Sequence, residues 1–184
     1  MHDVYRINAR PMSIGLTSLQ MLDREDLDYE NTKIVVIGLG EIGQLVTKYV
    51  LQRPFQSIRL VNRTLSKANP YLTEDRIQAY SWDDLDDAVK DADIIVANKL
   101  PMCEETLKDA KNLKLVCLTA TGINNLDGEY LKKRGIHACN VAGYSTDAVA
   151  QHTFAMFFYL WEKLSFYDDY VKSVSYTHLT LPTI

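Results

Sequence analysis

From Lys33 onward the chain alternates between short, continuously apolar runs and longer stretches in which apolar residues recur at helical spacing. Lys33 to Gly38, K-I-V-V-I-G, is β-branched and closed by glycine, the mark of a strand buried on both faces. Glu41 to Arg53 puts Ile42, Leu45, Val46, Tyr49 and Val50 on one stripe, which predicts a helix that Pro54 stops. The alternation goes on to predict strands at Ser57 to Val61, Ile77 to Tyr80, Asp93 to Ala97, Leu115 to Thr119 and Ile136 to Val141. Helices are predicted between them at Trp82 to Lys90, Glu104 to Lys111 and Asp127 to Arg134. A turn at Gly143 then leads into a long helix, Ser145 to Leu164, which Ser145 or Thr146 would cap.

Strands separated by helices pair in parallel through right-handed crossovers, so the expected fold class is α/β, an open, doubly wound, mostly parallel sheet followed by a long C-terminal helix. The expected organisation is an arm over residues 1–32, with a short helix at Ser13 to Leu22, and one contiguous sheet domain over 33–141. A long helical segment over 142–173 and a tail over 174–184 complete it. The long helix is apolar nearly all round, with Phe154, Met156, Phe157, Phe158, Leu160 and Trp161, and therefore needs cover. A homo-oligomer formed through residues 145–164 would supply that cover. His152, alone in this apolar stretch, reads as a packed residue rather than a base.

Composition narrows the class. With 47% hydrophobic and 24% charged residues over 184 positions, extensive disorder is excluded. Twenty basic against 24 acidic residues give a net charge of −4, so no general basic field exists for a nucleic acid or an anionic membrane. Cys103, Cys117 and Cys139 form no C-x-x-C pair, which argues against a disulfide framework or a zinc site and for a reducing, cytoplasmic setting. Met1 to Arg6 lacks the apolar core of a signal peptide, and the apolar stretch Thr153 to Trp161 falls well short of the roughly 20 residues of a membrane span.

The first strand ends in Gly38-Leu39-Gly40-Glu41-Ile42-Gly43, a G-x-G-x-x-G between strand and helix. That context makes it a dinucleotide fingerprint and the domain Rossmann-like: Gly38 for the turn, Gly40 for approach of a pyrophosphate and Gly43 for close packing of helix on strand. The helix N-terminus would attract the anion. A glycine-rich turn without ligand is the plain alternative. About 20 residues on, where an acid would hold the ribose of NAD, stand Asn62, Arg63 and Thr64. Arg63, helped by Lys67, would instead pair with a 2′-phosphate, which favours NADP over NAD, unless Arg63 is simply a solvated residue at a strand end.

Two resemblances carry the reading further. Residues from about Pro11 to Ala92, with M-S-I-G-L-T-S-L-Q-M-L, V-I-G-L-G-E-I-G-Q-L-V, V-N-R-T-L-S-K-A and W-D-D-L-D-D-A, look like the nucleotide-binding domain of glutamyl-tRNA reductases. That implies NADPH at Gly38 to Gly43 and Asn62 to Thr64. The catalytic cysteine of that family lies in an S-T-C-N-R-type motif, which nothing before Lys33 supplies. Residues 91 to about 173 are similar instead to the first lobe of D-isomer-specific 2-hydroxyacid dehydrogenases, through D-A-D-I-I-V-A-N-K-L-P-M, L-T-A-T-G-I-N-N-L-D and N-V-A-G-Y-S-T-D-A-V-A-Q-H-T-F-A. The resemblance implies that backbone N–H groups at Ala120, Thr121 and Gly122 hold the carboxylate of a 2-oxo acid. Ala142 stands where that family usually has proline.

The order of parts is unusual. In the dehydrogenases this lobe precedes the glycine loop, and the catalytic Arg, Glu and His follow it; here the loop comes first, so no catalytic residue is assigned. The chain reads as a join of two partial genes near residues 91–97, natural or made in sequence assembly, and 174–184 resembles a translated adapter. The expected function is an NAD(P)-dependent oxidoreductase of the 2-hydroxyacid dehydrogenase type, inactive by itself, acting on a small 2-hydroxy or 2-oxo acid. A glutamyl-tRNA reductase fragment and a non-enzymatic dinucleotide-binding module are the alternatives. A nucleic-acid partner is expected only in the first of these.

Overall fold

A computed structural model of the chain describes residues 27–143 and 145–173. The expected helix at Ser13 to Leu22 and the expected tail lie outside the described residues. Six strands form one parallel sheet: β1 (Lys33–Ile37), β2 (Ser57–Val61), β3 (Ile77–Tyr80), β4 (Ile94–Ala97), β5 (Leu115–Leu118) and β6 (His137–Asn140), in the order β3-β2-β1-β4-β5-β6. The winding reverses between β1 and β4, the doubly wound arrangement expected. These two strands pair across the joint between the two resemblances, with Ile34 opposite Ile94, Val35 opposite Ile95 and Val36 opposite Val96.

The period of two along each strand divides the core into two layers. Ile34, Val36, Ile58, Leu60, Ile94 and Val96 face α1 (Glu41–Val50), where Val46 and Val50 meet them together with Phe55. Val35, Ile37, Val61, Ile95, Val116 and Leu118 face the other way, toward α2 (Leu85–Val89), α3 (Glu104–Leu107) and α4 (Gly128–Arg134), which contribute Ala88, Val89, Leu107 and Leu131. Each large side chain so buried contributes about 1.5–3 kcal/mol. The central strands β4 and β5 are buried throughout, whereas the edge strand β6 is not. Cys139 Sγ lies 3.3 Å from Cys117 Sγ across the β5–β6 pair.

Charge fixes the bottom of the sheet. Asp91 binds Arg59 of β2 at 2.5 Å and Lys33 of β1 at 2.6 Å. The hydrogen bond from Arg59, and then the one from Lys33, pull its carboxyl down to a pKa of about 2. Asp93 Oδ2 accepts the backbone N–H of Lys33 at 3.0 Å. α4 is stopped by standard means: Asp127 accepts from Tyr130 N at 3.0 Å at its start, and Gly135 takes a left-handed φ of 69° at its end.

The described residues Ser145 to Ser173 belong to a second compact unit. The single long helix expected here is two helices, α5 (Thr146–Trp161) and α6 (Leu164–Ser173), separated where Lys163 takes a φ of 50°. Ser145 occupies the N-cap position, but its side chain makes no capping hydrogen bond. His152 is exposed rather than packed. Phe154, Leu160 and Trp161 are also exposed, Trp161 at 70%. Within α5, Phe157 stacks on Trp161 at 5.7 Å between ring centroids. Among the described residues no helix is long and apolar enough to cross a membrane.

Candidate functional site

The glycine loop sits where β1 gives way to α1. Gly38 has φ +94°, a conformation that L side chains rarely adopt, and its N–H donates to Val61 O at 2.8 Å. A Cβ on Gly43 would fall 1.7 Å from the carbonyl oxygen of Gly38, so only glycine lets the helix lie this close to the turn. Gly40 differs: a Cβ there would meet nothing within 4 Å, because it would point into open space at the start of α1.

Not every residue of the loop is available to a ligand. The Leu39 side chain is fully buried in the core, and its N–H donates to Asn62 Oδ1 at 3.0 Å. Asn62 in turn donates through Nδ2 to Thr64 O at 2.8 Å. Asn62 is therefore a strut between the glycine loop and the loop after β2; both ends of its amide are engaged. Ile42 packs against the core, while Glu41 is exposed.

Three cavities open along the C-terminal rim of the sheet, where doubly wound sheets bind ligands at the reversal of winding. The first, about 670 Å³, is lined by Gly38, Asn62, Arg63, Thr64, Lys67 and Trp82 together with Asn98 and Lys99. The second, about 260 Å³, lies over Gly38, Gly40, Glu41 and Gly43 and reaches Asn98 and Thr119. The third, about 400 Å³, is lined by Asn98, Lys99, Ala120, Gly122, Asn124 and Asn125. The structure thus brings the glycine loop, the loop after β2 and the loop after β5 to one rim.

Thr121 stands slightly apart. Its hydroxyl donates to Val141 O at 3.2 Å, and its carbonyl accepts from Asn140 Nδ2 at 2.6 Å, which tie it to the end of β6. The N–H groups of Ala120, Thr121 and Gly122 have no acceptor among the described residues.

Sequence reasoning missed Trp82, Asn98 and Lys99 among the lining residues. Trp82, just past β3, lies under the Arg63 guanidinium, whose carbon is 5.4 Å from the ring centroid. Asn98 and Lys99 follow β4 directly. Their position at the end of the strand beside β1 was the available signal, since that is the reversal point of the sheet. Among the described residues no cluster of His, Cys, Asp or Glu is arranged to hold a metal ion.

Gly38 in its left-handed turn, the unfilled space over Gly40 and the cations Arg63 and Lys67 beside the larger cavity fit a dinucleotide. Comparison with known proteins bears on the same residues. Residues 56–184 match the family described as D-isomer specific 2-hydroxyacid dehydrogenase, catalytic domain. The chain belongs to that family. The match begins ahead of the joint near residues 91–97, so it takes in β2 and β3 as well.

The dehydrogenase family is not the whole of the chain's ancestry. Glutamyl-tRNA reductase of Streptococcus sanguinis is 65% identical over 95 residues, which cover 52% of this chain and 23% of that protein. A Haemophilus influenzae protein with a provisional 2-hydroxyacid dehydrogenase name is 42% identical over 77 residues, 42% of this chain and 24% of that one. Hydroxypyruvate reductase of Blautia hydrogenotrophica is 33% identical over 82 residues, covering 45% of this chain and 26% of it. The chain spans about a quarter of the length of these relatives. Both resemblances read from the sequence are thus found, and both lead to oxidoreductases.

The fold is shared more widely. Dipicolinate synthase A chain of Bacillus subtilis superposes with a TM-score of 0.56 at 20% identity, over 85% of this chain and 53% of that one. Glutamyl-tRNA reductase of Methanopyrus kandleri gives 0.55 at 17% identity, over 87% and 44%.

Proposed function

We propose that the chain binds a nicotinamide dinucleotide, NADP in preference to NAD, and forms the binding portion of an oxidoreductase that interconverts 2-hydroxy and 2-oxo acids. The observation that carries this reading is the open space over Gly40 beside a cavity holding Arg63 and Lys67. The start of α1 would face the pyrophosphate, and Arg63, steadied on Trp82, would pair with a 2′-phosphate. When bound, the nicotinamide would give or take up a hydride. Backbone N–H groups at Ala120, Thr121 and Gly122 would hold the acid's carboxylate. No general acid is assigned, and the 184-residue chain should reduce pyruvate or hydroxypyruvate far more slowly than a typical turnover of about 10 per second.

Calorimetric titration of the full chain with NADPH and NADH tests the reading. Tighter binding of NADPH, lost with Gly40→Val, is the expected result; absence of binding to either dinucleotide would end it. A glutamyl-tRNA reductase role, with tRNA as partner, is favoured by the 65% identity to that enzyme over 95 residues. It would be supported by NADPH oxidation that depends on glutamyl-tRNA. A cytoplasmic protein that self-associates through α5 completes the proposal.

A further inference from the structure

Cys117 and Cys139 face each other in register across β5 and β6, and their sulfurs, both thiols, are 3.3 Å apart. Neighbouring strands run roughly 4.8 Å apart, inside the range of roughly 4.4–6.8 Å over which a disulfide joins two α-carbons. An approach of little more than about 1 Å brings the sulfurs to the bond length of about 2.05 Å.

The two residues are not equivalent. Cys117 is fully buried in the layer of Ile94 and Val96, whereas Cys139, on the edge strand, packs against that layer and stays partly exposed. One is open to reagents in solution and the other is screened from them. Packing asks only for small apolar side chains here; two thiols in contact add an exchange chemistry that packing does not require. Cys103 takes no part, since its sulfur lies 3.7 Å from Thr106 Oγ1 at the start of α3. The pair also lies beneath the loop after β5. Val141 N donates to Ala120 O at 3.0 Å, Val141 O accepts from Thr121 Oγ1 at 3.2 Å, and Asn140 Nδ2 donates to Thr121 O at 2.6 Å. The residues that follow Cys139 thus hold the residues that follow β5.

We propose that Cys139 and Cys117 form a reversible redox site that exchanges with a small-molecule disulfide, Cys139 as the attacking thiol and Cys117 as the resolving one. Cys139 Sγ attacks one sulfur of the small disulfide, forms a mixed disulfide and releases a first small thiol. Cys117 Sγ then attacks Cys139 Sγ, which breaks the mixed bond and expels a second small thiol. Two protein thiols are oxidised to one disulfide, the reagent is reduced to two thiols, and the two protons lost by the cysteines leave with them. The new bond joins residues 22 apart in the chain and pins β6 to β5 beneath Ala120 and Thr121. In a reducing setting such a bond is transient rather than part of a framework. None of this rests on the dinucleotide reading.

The test incubates the reduced full chain with oxidised glutathione at millimolar concentration, quenches with acid, and follows mass and peptide linkage. Wild type should lose the mass of two hydrogens and yield peptides linked through Cys117 and Cys139, and dithiothreitol should restore both thiols. Cys117→Ala should stop with one glutathione on Cys139. Cys139→Ala should react at Cys117 at least about tenfold more slowly than wild type reacts at Cys139. Cys103→Ala should behave as wild type. Melting before and after oxidation reads the pinning: the wild-type midpoint should rise by about 5 °C, and that of Cys139→Ala should not. A wild type that stops with glutathione on Cys139, a link that includes Cys103, or a native chain that does not react would overturn the proposal. An unchanged or lowered midpoint would overturn the pinning. Linkage in the wild type decides the chemistry even where a variant misfolds.

Discussion

A Cβ at position 43 would stand 1.7 Å from the carbonyl oxygen of Gly38, inside any tolerable contact, whereas one at position 40 would touch nothing. Two glycines three residues apart therefore fail in different ways when replaced. Gly43→Ala must push α1 off the sheet and should cost on the order of 3 kcal/mol or more, visible as a lowered thermal midpoint. Gly40→Val should melt near the wild-type temperature yet lose dinucleotide binding, because its side chain fills the space a pyrophosphate needs. Melting curves and titrations of both variants separate the two effects.

Arg63→Ala should weaken NADP by about 1.5–3 kcal/mol, roughly 10- to 100-fold, while NAD changes little. Trp82→Ala should shift the same preference less, by about 0.5–1 kcal/mol, since it removes only the ring beneath the guanidinium. Paired titrations with both dinucleotides give the ratio directly.

Asn62→Ala would act on both dinucleotides alike. It releases Leu39 N and Thr64 O at once and should cost about 1–2 kcal/mol of stability. An equal loss of NADP and NAD affinity, measured beside Arg63→Ala, distinguishes a strut from a phosphate ligand.

Asp91 gives the fold a dependence on acid. Its carboxyl is held at about 2 by Arg59 and then by Lys33, below its value in an unfolded chain. A depressed pKa stabilises the fold fully above the usual carboxylate range near 4 and loses that stabilisation as pH falls through about 2. The carboxylate is 39% exposed, so solvent screening reduces its worth to about 1 kcal/mol. Urea midpoints of wild type and Asp91→Asn should differ by a constant amount above pH ~5 and converge toward pH ~2.

The exposed aromatic residues of α5 should make the apparent mass of the chain depend on concentration. Trp161→Glu, at a position already 70% exposed, should leave folding intact and shift sedimentation toward the monomer.

The sheet was readable from the sequence because β1, β4 and β5 are buried on both faces and so print as unbroken apolar runs. The glycine loop was readable from the spacing of its three glycines between a strand and a helix. Asn62 lines the larger cavity, but its bridging of Leu39 N and Thr64 O was not visible: it depends on how close the ends of β1 and β2 come in space. Trp82 was read as the first residue of a helix that in fact begins at Leu85, because nothing in W-D-D-L reveals that Arg63 stacks on the ring. The break between α5 and α6 carried no signal. Helices commonly stop at a left-handed glycine, and here a lysine at position 163 takes that conformation instead.

Ile34, Val35 and Val36 meet Ile94, Ile95 and Val96 in parallel, their side chains alternate between the two core layers, and Asp93 holds Lys33 N at the start of the pair. An apolar strand buried on both faces satisfies most of that demand, and strands on both sides of the joint supply it. β1 to β3 carry the glycine loop, β4 to β6 carry the loop after β5, and the two loops, which resemble different families, open onto one rim.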